Sequence, residues 1–148
     1  MVATLKYDDH GLRKVRHPLA FSIRETTFEW SETQRLVKDF EARYGARIVN
    51  HPSGTYLYAF HDDPGHALAV CEYVDFAESK ERDILGSFCE SSRLGKLALY
   101  ALLNDVVGKT PLGWKAVGFV AWSHESMRRM IERGGFKPQL VMYTKEAV

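Results

Sequence analysis

Cysteine is scarce in this chain, two residues in 148, and neither lies near a second Cys/His pair at the spacing of a zinc finger. Cys71 and Cys89 both fall in strand-like segments and read as buried free thiols of a reducing compartment, so neither a disulfide framework nor a bound metal is expected. An excess of one charge is lacking as well. Twenty Lys and Arg stand against 19 Asp and Glu, a net charge of +1, which gives no global field toward nucleic acid or an anionic membrane. The local basic run Arg13, Lys14 and Arg16, flanked by His10 and His17, reads as a solvated arm. No apolar run approaches the roughly 20 residues of a spanning helix, and no charged-then-apolar leader opens the chain. A cytoplasmic protein without a membrane partner is therefore expected. Repeats, low-complexity tracts and linkers are missing too. That leaves a polar lead-in over 1–18, ending at His17-Pro18, and a single domain over 19–148. With 45% hydrophobic and 26% charged residues, the domain has the composition of an ordinary globular core.

The elements follow from periodicity. Leu19–Glu25 can form a first strand. A helix starts at Ser31, where Ser31 and Gln34 make a capping-box pattern, and Leu36, Val37, Phe40 and Tyr44 form one apolar stripe before Gly45 ends it. Asn50–Gly54 is a turn. Thr55–Phe60 and His66–Phe76 read as an antiparallel pair joined by the turn-rich HDDPG, and Arg82–Cys89 as a further strand. The alternating aromatics Tyr56, Tyr58 and Phe60 are core packing. After a polar bend at Glu90–Arg93, a helix runs from about Gly95 to Val107 with Leu99, Leu102, Leu103 and Val106 inward, until Gly108 and Pro111 stop it.

The last stretch is the most distinctive. A strand-like Lys115–Trp122 leads into SHESMRRMIERGGFKPQLVMYT, Ser123–Thr144. Met127, Met130 and Ile131 fall at i, i+3 and i+4 on one helix face, and Arg128, Arg129, Glu132 and Arg133 take the other. Ser123 can cap this helix. Gly134 or Gly135 suits the left-handed residue that closes it, and Phe136 can pack back onto the last turn. The order strand, helix, three strands, helix, strand, helix, strand predicts an α/β fold of the α+β type, with a mixed, mostly antiparallel sheet and helices on both faces.

This strand–helix–Gly-Phe–strand ending resembles the C-terminal part of the GNAT superfamily, the acyl-CoA-dependent N-acetyltransferases, whose last helix typically closes on a Tyr-Glu-Lys-x-Gly-Phe-like sequence. The matching residues are Ile131, Glu132, Arg133, Gly134, Gly135 and Phe136. By element order the resemblance covers most of the chain; by recognisable residues it covers the last third. It implies acetyl-CoA as co-substrate, an amine acceptor, and direct transfer between strands that splay apart to admit the pantetheine arm. A homodimer stays open.

The resemblance also implies site residues. The superfamily's pyrophosphate loop falls on Cys89, Arg93, Leu94, Gly95, Lys96, Leu97 and Ala98, where free amides at a helix head can hold a diphosphate. The pattern Arg/Gln-x-x-Gly-x-Gly/Ala fits imperfectly. Starting at Arg93 puts Lys96 where glycine belongs and Ala98 correctly third; starting at Ser92 uses Gly95 but puts Leu97 at a small-residue position. For a general base the candidates are Glu72, Asp83 and Glu81, with Glu72 first because its strand face is apolar and burial would raise its pKa unless it is paired. His124 sits where many relatives carry Asn and is a candidate substrate contact. Ile131 replaces the usual catalytic Tyr, with Tyr100 and Tyr143 as substitutes in principle. The alternative is a catalytically degenerate GNAT-fold protein acting as a binding or structural partner.

Overall fold

The computed structural model describes residues 20–118, 125–133, 135 and 137. Strands β1 (Ser22–Thr26), β2 (Thr55–Phe60), β3 (Ala69–Phe76), β4 (Glu81–Cys89) and β5 (Lys115–Gly118) form one sheet in the order β1-β2-β3-β4-β5. The first four run antiparallel to their neighbours, while β5 is parallel to β4. The parallel step follows from connectivity, because helix α2 (Arg93–Gly108) carries the chain back along the sheet between β4 and β5. Helix α1 (Ser31–Tyr44) lies between β1 and β2, and α3 (Glu125–Arg133) follows β5.

Period-two alternation gives the sheet two faces, each with its own core. Leu36 and Val37 of α1 pack on Tyr56, Tyr58, Phe60, Val70 and Phe88. Leu99, Leu102 and Val106 of α2 pack on Ala59, Ala69, Cys71 and Ile84 from the other side. The expected arrangement of mostly antiparallel strands with helices on both faces is thus what forms, and the three alternating aromatics are core.

Local chemistry sets the boundaries. Gly45 ends α1 in the left-handed region at φ 64°, donating its N–H to Glu41 O at 2.9 Å. Gly135 does the same service after α3, with φ 91° and its N–H on Glu132 O. The capping box expected at Ser31 does not form. Ser31 is already helical, Trp30 precedes the helix without a side-chain cap, and Gln34 Nε2 reaches back to donate to Phe28 O at 2.6 Å. Strand β3 begins at Ala69 rather than His66, because the His66 N–H turns onto Asp63 O and the Ala67 N–H onto Glu32 Oε1. Strand β1 runs three residues later than expected at its start, and α2 starts at Arg93, two residues before Gly95.

Arg82 ties β4 to the far end of α2. Only 7% exposed, it donates to both oxygens of Asp75 at 2.8 and 2.9 Å and to Val106 O at 2.8 Å, with its guanidinium over the Tyr73 ring. The lead-in over 1–18, His124, Ser123, Gly134, Phe136, Tyr143 and the final strand lie outside the described residues, as do the side chains of Met127, Met130 and Ile131.

Candidate functional site

Strand β4 carries the candidate residues at both ends. In its pairing with β3, Glu72 faces Gly86 and Tyr73 faces Ile84, so Leu85 is an extra residue on β4. Such a bulge bends a strand and increases its twist. Pairing with β5 runs from Glu81↔Lys115 to Ile84↔Gly118 and reaches the residue just before this bulge. The β5 segment beyond Gly118, on which the expected splay depends, lies outside the described residues.

At its C-terminal end β4 leads through Glu90 and Ser91 to Ser92, which has extended backbone and caps α2 by accepting the Gly95 N–H on its Oγ at 3.0 Å. The Lys96 N–H already bonds Ser92 O at 3.1 Å, and the Ser92 N–H bonds Glu90 O at 2.8 Å. Among the described residues this leaves the amides of Arg93 and Leu94 unclaimed at the helix head, together with the positive end of the helix dipole. Gly95 is buried, and a Cβ there would lie 2.3 Å from Glu90 O. The chain therefore needs glycine at 95, in the register that starts at Ser92. Lys96 and Arg93 are exposed, so both can meet an anion from outside, whereas Ala98 is fully buried in the α2 core. Leu94 and Leu97 are half-buried against that core, so Leu97 does not fill the turn. Cys89 is half-buried just before it.

The three carboxylates divide into two settings. Glu72 is 3% exposed, and its Oε2 accepts the His51 N–H at 2.8 Å. Burial, with the Glu72 charge nearby, pushes the Tyr56 phenol well above its usual range. Gly54 packs so closely that a Cβ would stand 2.1 Å from Glu72 Oε2. Glu72 thus has the partner that the strand pattern left open, the turn His51–Gly54.

Asp83 and Glu81 lie two apart on β4, and their cross-strand partners, Val74 and Phe76, put them on the α1 face. Burial, with Glu81 alongside, raises the Asp83 carboxyl above the ordinary range. Its Oδ1 is buried without a hydrogen-bond partner among the described residues. Neighbouring carboxylates resist ionising together, so Glu81 adds to the effect of burial on Asp83. This pair sits immediately before the bulge.

Neither thiol suits nucleophilic chemistry. Burial pushes Cys71 up to about 12 and raises Cys89 as well. Among the described residues no cluster of three His, Cys, Asp or Glu side chains could hold a metal ion, and no helix is long and apolar enough to cross a membrane. Sequence reasoning missed Ser92 as the cap, although serine at a helix start is a legible signal. Glu90, Arg35 and His66, joined by ion pairs across the fold, carried no local signal.

No protein-family model and no curated protein sequence matches the chain. Solved structures do. A ribosomal-protein-alanine N-acetyltransferase from Brucella melitensis biovar Abortus 2308 superposes with a TM-score of 0.61 at 17% identity, over 86% of this chain and 100% of that one. An aminoglycoside antibiotic 6'-N-acetyltransferase from Acinetobacter baumannii gives 0.59 at 14% identity, over 87% and 99%. A transcriptional regulator from Bacillus halodurans C-125 gives 0.58 at 12%, over 86% and 100%. Together with the bulged meander and the β4–α2–β5 crossover, these likenesses establish that the chain has the fold of the GNAT superfamily.

Proposed function

We propose that the protein is an acyl-CoA-dependent N-acyltransferase that moves an acyl group directly from the thioester to an amine. The observation that supports this reading is the layout of β4, with the carboxylates Glu81 and Asp83 just before the bulge and a glycine-dependent helix head just after the strand. The amides of Arg93 and Leu94 would hold the diphosphate, Arg93 and Lys96 would add charge, and Gly95 keeps the backbone close. Rotation of the Ser92 hydroxyl would release the Gly95 amide to the same anion.

Asp83 is the base in this reading. It takes a proton from the ammonium acceptor, directly or through water; the freed amine forms the new C–N bond as the C–S bond breaks, the nitrogen then gives its surplus proton to solvent, and the departing thiolate is protonated from solvent. Solvent is invoked because position 131 is Ile and has no proton to give. Glu81 tunes Asp83 by proximity. Glu72 instead fastens the His51–Gly54 turn. Glu72→Gln is therefore expected to cost about 1–3 kcal/mol of stability, the cost of leaving buried partners unsatisfied, with turnover largely kept. Chemical denaturation beside steady-state rates checks this; lost turnover at unchanged stability would restore Glu72 as the base.

The acceptor is an amine, and the named substrates of the structural neighbours make a peptide N-terminus and an aminoglycoside the first two to offer. Incubating wild type with acetyl-CoA and such a panel, then measuring transferred acetyl by mass spectrometry, tests the proposal. The second reading, a GNAT-fold binding partner without catalysis, is favoured by the Ser92 cap on Gly95 and by Ile131. Wild type that transfers to no amine and gives no heat with CoA would establish it.

A further inference from the structure

The backbone of Glu90 is the floor under the first turn of α2, and its side chain is anchored elsewhere. Its N–H donates to Leu68 O at 2.9 Å, and its carbonyl accepts the Ser92 N–H and abuts Gly95. Its carboxylate meets Arg35 Nη1 at 2.9 Å and His66 Nε2 at 2.7 Å. Arg35 in turn is held in α1 by both oxygens of Glu32, which keeps the Glu32 carboxyl below its usual range, and Arg35 also donates to Ala67 O at 2.8 Å. Arg35 from α1 and His66 from the β2–β3 connection, both held by Glu32, thus converge on the carboxylate of the residue that precedes the head of α2.

We propose that Glu90 is a positioning residue that, through Arg35 and His66, fixes the turn Glu90–Lys96 to α1 and so sets the anion-holding amides at the head of α2. The proposal rests on the acyl-CoA reading for its ligand, though not for its geometry. These side chains are partly exposed, between 23% and 48%, so the ion pairs add little to global stability. Their effect falls on where the turn sits. The two nitrogens of His66 face two carboxylates, Glu90 at 2.7 Å and Glu32 at 3.6 Å, so the ring bridges α1 and the end of β4.

The test compares wild type with Glu90→Gln, Arg35→Gln and His66→Gln in two measurements. Hydrogen exchange of the Gly95 and Lys96 amides, both bonded to Ser92, should quicken about tenfold without ligand in Glu90→Gln and Arg35→Gln, and in the same direction in His66→Gln, while the melting temperature stays nearly constant. Titration with CoA should show affinity about tenfold weaker in the same variants, with kcat for acyl transfer held. Unchanged exchange in Glu90→Gln overturns the proposal, as does a loss of melting temperature that accounts for every other change. Wild type that binds no CoA defeats the acyl-CoA reading alone, and the exchange rates then decide the positioning role.

Discussion

Asp83→Asn is expected to lower acyl transfer by about 10²–10⁴-fold, the usual cost of removing a general base, with acyl-CoA affinity nearly unchanged. Asparagine keeps the shape and removes only the proton-accepting charge. The pH profile carries the same information. Burial and Glu81 raise the Asp83 carboxyl, so in wild type activity should climb as pH rises through that raised value and the group ionises. The Asn variant should lose this limb. Linkage has the opposite sign for stability. A carboxyl whose folded value lies above its unfolded value holds extra protons in the native state, so its burial is tolerated in acid and costs stability as pH rises through that interval. Asp83→Asn should therefore be as stable as wild type or more so near neutrality, which separates a lost base from a damaged fold. Stopped or steady-state rates across pH, beside denaturation at pH 7, would show it. An Asn variant that turns over normally would move the base elsewhere.

Gly95→Ala is expected to abolish tight CoA binding and to destabilise the protein by about 1–3 kcal/mol. Helix propensity alone predicts the reverse, because alanine is favoured over glycine in a helix by up to about 1 kcal/mol. The steric term wins here. The added Cβ would lie 2.3 Å from Glu90 O and 2.9 Å from its carbonyl carbon, and these are backbone atoms that cannot swing aside. The turn must open, and the amides of Arg93 and Leu94 move with it. Lys96→Ala, on an exposed position, should weaken binding by far less because it removes one flexible surface charge. Equal and small effects from the two substitutions would place the ligand away from this helix head.

Much of the architecture was legible because it is local. The apolar stripe of α2, the inward Leu36 and Val37 of α1, the glycine stop at Gly45 and the alternation Tyr56, Tyr58, Phe60 depend only on period and turn chemistry and formed as read, whereas Tyr44, expected at the end of the α1 stripe, is 47% exposed. Boundaries shifted where a side chain or a distant backbone group claimed an amide, as Glu32 does at Ala67 and Ser92 at Gly95. The candidate site was less legible. The apolar neighbours of Glu72 announced its burial, but its partner is a backbone N–H 21 residues away in a turn, a contact that no local pattern encodes. The pairing of Asp83 with Glu81 was readable from their spacing of two on a strand; the burial that raises Asp83 comes from the packed sheet. The link from Arg35 to Glu90 joins a helix to a strand end far along the chain and shows only once the fold brings them together.

The central claim is that the head of α2 holds the diphosphate of an acyl-CoA. Calorimetric titration of wild type and Gly95→Ala with CoA tests it most directly. The account predicts one CoA bound per chain to wild type, binding reduced at least tenfold in Gly95→Ala, and a weaker complex in high salt because phosphate contacts are screened. Wild type and Gly95→Ala binding CoA with equal affinity, or neither binding it at all, would contradict the claim.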